Sequence, residues 1–321
     1  MKRLVPLLLV AVLALTACGS TDHPVDLAMV TTAEKPQPEM VQPAEAPKAN
    51  GPGQSCGDPT ASLRPTSGLA VAGGSTMAKI KDRGRLVAGV DQNTYLFGFR
   101  NPATNNLEGF DIDMVRQVAK ALLGDENKVQ YKVITSQDRE NVLVNGDVDL
   151  VVRTFTVNCD RKQRINFSTV YYSTGQRVLV DKSSTAKGLS DLGGKKVCAT
   201  SGSTSIAAIA NTPTKPQGIQ VRNWSDCLVL LQQGQVAAVS TDEPILFGMA
   251  AQDPNLKIVG DKLTDEPYGI GIPKNNTDMV RYVNAVLDKI RGDGTWQASY
   301  DRWVGSRTGV SATPPNPQYQ D

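Results

Sequence analysis

The residues best placed to do chemistry lie where one apolar run turns polar. Residues 148–155 are mostly β-branched or apolar and follow the turn signal Asn145-Gly146, so they read as a strand. Thr154, Thr156 and Asn158 then alternate, and Arg161 follows after a short turn. Hydroxyls, free backbone groups and one guanidinium in so small a volume suit an α-amino acid. The arginine fork takes the carboxylate bidentately, hydroxyls and amides share it, and backbone carbonyls accept from the ammonium. A second candidate is Thr200-Ser201-Gly202-Ser203-Thr204, a small-residue loop that feeds a helix from 205 to 210. Backbone N–H groups point outward at such a helix start, so Thr200, Ser203 and Thr204 would hold an anion, here the ligand's carboxylate. A phosphate loop is the rival reading, but Gly-x-x-x-x-Gly-Lys-Ser/Thr is absent. Simple Ser/Thr capping is the plain one.

The elements that must position these groups recur as strand, helix, strand. A strand at 85–90 leads through a loop at 91–97 to a helix opened by 109–113, with Ile112, Val115, Val118, Ala119 and Leu122 on one face. Strand 129–134, helix 136–144 and strand 148–155 follow, which argues for parallel α/β structure. Asp111 and Asp113 read as first-turn carboxylates that suit the helix dipole rather than as a metal site. From 175 the pattern restarts, with strands at 176–180, 196–200 and 236–240 and a helix at 224–233. The expected architecture is two α/β lobes joined by two hinge strands, near 171–177 and 266–270, with a ligand cleft between them. Lobe 1 takes residues 79–173 plus 267–308, lobe 2 takes 174–266, and 309–321 form a loose tail. Arg161, Thr154 and Thr156 fall in one lobe and Thr200, Ser203, Thr204 and Asp242 in the other. A ligand touching both would favour hinge closure.

The start of the chain carries its own signals. Lys2 and Arg3 precede an apolar run from 4 to 15, followed by Leu15-Thr16-Ala17-Cys18. Residues 1–17 read as an export signal, because a membrane span needs about 20 apolar residues. The cysteine after Leu-Thr-Ala looks like a bacterial lipobox, so Cys18 is expected to be acylated and to anchor the chain in the bilayer at the outer face of the cell membrane. Residues 18–78 are rich in Pro, Ala, Glu, Thr and Gly and read as a tether, with a strap at 58–65 beside Cys56. Export leaves Cys56, Cys159, Cys198 and Cys227 in an oxidising compartment, and four cysteines allow three pairings. A zinc site would want C-x-x-C spacing, which is missing. The only histidine is His23, in the tether, so the folded part has none for a Ser-His-Asp triad, a Cys-His pair or a histidine-bound metal. No catalytic residue, metal or cofactor is expected. A net charge of +2 does not point to nucleic acid or bulk anionic lipid as a partner.

Thr154-x-Thr156-x-x-x-x-Arg161-Lys162, then Ile165-Asn166-Phe167-Ser168 and Tyr171-Tyr172, resemble the signature of polar amino-acid-binding proteins of ABC importers. The likeness spans residues 80–305 and falls within the type II periplasmic-binding-protein superfamily. The glutamine-binding lipoprotein (GlnH) family of mycobacteria and related actinobacteria is the particular family resembled. The resemblance implies a monomeric extracytoplasmic receptor that delivers a polar L-amino acid to an ABC permease with a cytoplasmic ATPase. It also implies an alternative, a sensor that signals occupancy to a membrane partner and a kinase pathway. Cyclohexadienyl dehydratases share the scaffold and form a remote third reading, one that needs a placed acid and base.

The same resemblance assigns further residues. Asp242, with Thr154, would accept from the ligand ammonium, and helix capping is the plain alternative for Asp242. Glutamate-binding relatives carry cysteines at both positions 198 and 227, which implies Cys198–Cys227 and leaves Cys56 with Cys159. Arg153 stands where glutamine binders carry a small neutral residue, so it would select Glu or Asp ahead of Asn or Gln; its alternative is a structural pair with Asp113 or Asp91. Arg100 is a second side-chain candidate, and Tyr95 or Phe97 would wall the ligand's aliphatic part.

Overall fold

The computed structural model describes residues 35–44 and 56–320, so the expected export signal and the expected acylation at Cys18 lie outside the described residues. Two sheets organise these residues. In the first, Leu86–Val90 is an interior strand and pairs in parallel with Val129–Val133 on one side and Leu150–Val151 on the other. Gly271–Pro273 adds antiparallel beside Leu150–Val151, and Ile165–Phe167 closes the edge. Leu86, Ala88 and Val90 point to one face of the sheet and are fully buried in its core. The helix Phe110–Leu123 lays Phe110, Ile112, Met114, Val115, Val118, Ala119 and Leu122 into the same core and stops at Gly124, in the left-handed region. Thr277–Gly292 covers the core through Met279, Val280, Val283, Val286, Leu287 and Ile290.

The second sheet has the order Gln42–Pro43, Gln217–Val221, Lys196–Thr200, Ala238–Asp242, Gln176–Asp181, Leu256–Val259. Its core is separate, built around Val178, Leu179, Val197, Val239 and Leu246. Between the two sheets, Tyr172–Thr174 and Glu266–Tyr268 form an antiparallel pair, with Glu266 opposite Thr174 and Tyr268 opposite Tyr172. These are the two connecting strands. A Cβ at Gly175 would come 2.4 Å from Thr264 O, so only glycine lets the connections approach so closely there.

Two stretches expected to be loose are ordered. Within the expected tether, Gln42–Pro43 pairs with Gln217–Val221, and the helix Thr76–Arg83 already begins before residue 79. The expected loose tail packs instead. Ser62 N–H donates to Gln318 O at 2.9 Å, Gln320 N–H donates to Ser62 O at 2.8 Å, and Tyr319 Oη donates to the Asp288 carboxylate. The strap supplies a backbone edge and Tyr319 an aromatic anchor, enough to hold a Pro-rich segment that has no helix or strand of its own. Asn284 completes the arrangement: its amide donates to Ser62 Oγ and Leu63 O while its carbonyl accepts from Thr169 N–H.

Candidate functional site

The expected strand 148–155 leaves the ladder early. Only Leu150–Val151 pairs regularly, because Thr154 turns to φ 40°, a left-handed conformation costing a threonine about 1–3 kcal/mol. Asp111 holds it there. Its Oδ2 accepts from Thr154 N–H at 2.9 Å and its Oδ1 from Tyr171 Oη at 2.7 Å. Asp111 is therefore not a helix cap but a brace reaching from the helix to the cleft, and burial pushes its carboxyl up to about 6. Asp113 turns the other way and accepts from Ser299 Oγ and Trp303 Nε1. Beyond Thr154, Thr156 bridges to Tyr268 of the second connection, and Asn158 caps the short helix Cys159–Arg164 by accepting from Arg161 N–H at 2.9 Å. The Cys56–Cys159 disulfide ties the strap to this helix two residues before Arg161.

Two guanidinium groups lie over Phe155, Arg139 at 4.5 Å and Arg161 at 4.9 Å from the ring centre. Arg161 donates to Thr156 O at 2.7 Å, and Arg139 to Ser136 O, Arg153 O and Thr154 O. Both also reach the other lobe at Gly202 O, at 3.2 and 3.1 Å. Gly202 has φ 74°, and a Cβ there would stand 2.7 Å from Gln137 Cα, so the lobes can meet at this point only through a glycine. Burial holds both arginines below the usual guanidinium range, with Arg139 lowered further by the charges of Arg161 and Arg153.

The second lobe offers the ends of Lys196–Thr200 and Ala238–Asp242 and the start of the helix Thr204–Asn211. Ser203 Oγ donates to Thr200 O and accepts from Ile206 N–H, so it caps the helix. Thr200 Oγ1 donates across the cleft to Ser136 Oγ at 3.1 Å. Asp242 is nearly buried. Its Oδ2 accepts from Tyr268 Oη at 2.5 Å, whereas its Oδ1 has no hydrogen-bond partner among the described residues. Burial first, then the charge of Glu266, raises the carboxyl to about 7 against the pull of Tyr268, Arg139 and Arg161. A small cavity of about 10 Å³ lies here, lined by Ser136, Arg139, Thr154, Thr156, Ser203, Thr204, Ser205, Trp224, Asp242 and Ile245. A buried unpaired carboxylate oxygen calls for a cation, and guanidinium groups beside it call for an anion.

The structure thus gathers Thr154, Thr156, Ser203, Thr204 and Asp242 around one cavity, with Arg161 and Thr200 bonded to its walls. It places the side-chain candidates elsewhere. Arg153 is fully buried and spent on Ile134 O, Ser136 Oγ and an ion pair with Asp91 at 2.9 Å, which is the structural alternative rather than a selector. Arg100 is exposed and bonds to Gln92 and Asn105. Tyr95 takes a hydrogen bond from Arg307 and packs edge-on to Phe99. Phe97 is buried among Phe110, Tyr172 and Tyr268. The sequence reading missed Ser136, Arg139 and Glu266. A signal existed for Arg139: a lone arginine in the first turn of the helix after strand 129–134 stands at the carboxyl end of a parallel sheet, where open α/β sheets bind ligands. The second disulfide, Cys198–Cys227, fastens the Lys196–Thr200 strand to the helix Trp224–Gln232, whose first residue lines the cavity.

Two lobes, two connecting strands and a polar cavity between them define a two-lobed solute-binding protein of the type II periplasmic-binding-protein fold. The chain belongs to the bacterial extracellular solute-binding proteins, family 3, whose model matches residues 86–306. It is 41% identical over 230 residues to the ABC transporter glutamine-binding protein GlnH of Bacillus subtilis, covering 71% of this chain and 84% of the relative. It is 31% identical to the glutamate-binding protein GluB of Corynebacterium efficiens, covering 70% of this chain and 80% of that one. Among solved structures, an ancestral arginine-binding protein bound to glutamine superposes with a TM-score of 0.65 at 34% identity, covering 70% of this chain and 99% of the other. These relatives are binding proteins.

Proposed function

We propose that the cavity captures an L-α-amino acid with an acidic side chain, glutamate or aspartate ahead of asparagine and glutamine, for an ABC permease. The observation that carries this reading is the unpaired, buried Oδ1 of Asp242 in one cavity with Arg139 and beside Arg161. The ligand's ammonium pairs with Asp242, and its carboxylate takes Arg161 together with N–H groups at the start of Thr204–Asn211. Arg139 is then the cation left over. Among the described residues it donates only to carbonyls, one of them Gly202 O from the opposite lobe, and carbonyls are weaker partners than a carboxylate. Exchanging a neutral acceptor for a charged one is worth about 1–2 kcal/mol, roughly 5–30-fold in Kd. The acidic preference therefore rests on Arg139, not on Arg153. Glutamine is the second reading, favoured by the higher identity to GlnH than to GluB. The Leu-Thr-Ala-Cys18 sequence supports presentation from a lipid anchor outside the membrane.

A thermal-shift panel of the twenty amino acids on protein lacking residues 1–18, followed by calorimetry on the hits, tests this. A ligand at 100 times its Kd adds about 2.7 kcal/mol of stability. Glutamate or aspartate is expected to shift melting most, and Arg139→Gln to move the ranking toward the amides. If glutamine leads and Arg139→Gln leaves the ranking alone, the acidic preference is lost. If no amino acid binds, the whole reading fails.

A further inference from the structure

Glu266 opens the second connecting strand and is 2% exposed, yet it does not line the cavity. Its Oε2 accepts from Thr156 Oγ1 at 2.6 Å and from Thr204 Oγ1 at 2.8 Å, and its Oε1 accepts from Thr264 Oγ1 at 2.7 Å. Thr156 belongs to the first lobe, Thr204 opens a helix of the second, and Thr264 lies in the loop that enters the connecting strand. One carboxylate oxygen thus holds one hydroxyl from each lobe, and both hydroxyls belong to residues that do line the cavity. A hydroxyl has a single proton. With both protons committed to Glu266, Thr156 and Thr204 turn lone pairs toward the cavity, and lone pairs suit an ammonium rather than a carboxylate. This reverses the role expected of these two threonine hydroxyls, which was to donate to the ligand's carboxylate.

We propose that Glu266 is a positioning residue that fixes both threonines as acceptors and couples closure of the lobes to recognition of the ligand's ammonium. The inference rests on the amino-acid reading above. Opening the lobes about the connecting strands separates Thr156 from Thr204, and Glu266 can then keep only one of them. Closure restores both bonds and completes an oxygen-lined seat with Asp242 Oδ1. Glu266 also adds negative charge beside Asp242, whose other charged and titratable neighbours are Arg139, Arg161 and Tyr268.

The test compares wild type with Glu266→Gln in the full-length protein in detergent, titrating L-glutamate, L-aspartate and L-glutamine by calorimetry from pH 5.5 to 8. The variant is expected to bind roughly tenfold more weakly at pH 8, the worth of one charge-assisted hydrogen bond. The pH at which its binding falls to half should move to lower pH, because a like charge beside Asp242 is gone. A merely structural role would weaken binding and leave that midpoint in place, and this result overturns the proposal, as does wild-type affinity in the variant. If Glu266→Gln does not fold, Thr204→Val replaces it. Severalfold weaker binding at unchanged Tm supports the proposal, and unchanged affinity overturns it. A wild type that binds none of the three ligands would instead refute the amino-acid reading itself.

Discussion

On the proposed pairing of the ligand's ammonium with Asp242, the raised carboxyl of Asp242 should make ligand capture a proton-release reaction. Burial and the charge of Glu266 lift it from 3.8 to about 7. An ammonium paired with Oδ1 stabilises the charged form, so binding expels whatever proton is there. At pH 6 about 0.9 proton should leave per ligand bound, and at pH 8 about 0.1, since a group titrating near 7 is about ten-elevenths protonated at the first and one-eleventh at the second. Affinity should be about 30-fold weaker at pH 5.5 than at pH 8 by the same linkage. Calorimetry in buffers of differing ionisation enthalpy reads the proton count directly. Stability of the empty protein runs the other way. A carboxyl whose folded value lies above its unfolded one stabilises the fold while protonated, and that contribution is lost as pH rises from about 4 to about 7, an amount on the order of 4 kcal/mol. Asp242→Asn should therefore raise the melting temperature of the empty protein at pH 8 while weakening the ligand. No proton release at pH 6, or the same release from Asp242→Asn, would refute the assignment.

Arg153→Met should lower stability by about 3–5 kcal/mol in urea unfolding, because it strands the buried carboxylate of Asp91, yet leave the ranking of amino acids unchanged. Cys56→Ser should lower the melting temperature, since that disulfide closes a separation of 103 residues and loops near 100 residues contribute up to about 4.7 kcal/mol in chain-entropy terms. It should also weaken ligand binding, by loosening the helix that carries Arg161, and paired thermal and calorimetric measurements separate the two effects.

The fold was legible in the chain because its signals are local. The recurrence of strand and helix, the restart after Gly175 and the Glu266–Ile270 connection can each be read from a few residues. The residues on the two lobes that meet in the cavity were legible too: Thr154, Thr156, Ser203 and Thr204 stand at a strand end or a helix start, and the family resemblance pointed to Asp242. What escaped was each group's partner. Nothing in the composition of residues 309–321 says that Tyr319 finds Asp288, because that contact depends on a helix formed earlier in the chain. Glu266 reads as an ordinary hinge residue until Thr156 and Thr204 are seen to share one of its oxygens.

Arg153 and Arg139 make the same point more sharply. Both are arginines near the carboxyl ends of first-lobe elements, and residue type alone cannot rank them. Sheet order can. Leu86–Val90 runs parallel to Leu150–Val151 with Gly89 beside Val151, so two residues further along each chain Asp91 comes level with Arg153. The ion pair at 2.9 Å is what that register produces, and it neutralises Arg153 before any ligand arrives. Among the described residues Arg139 has no carboxylate within ion-pair distance. It hangs from the first turn of Arg139–Val144, held by carbonyls and the face of Phe155, with its charge still to be met. The proposed acidic selectivity therefore rests on strand order: the register consumes one arginine with Asp91 and leaves the other lining the cavity.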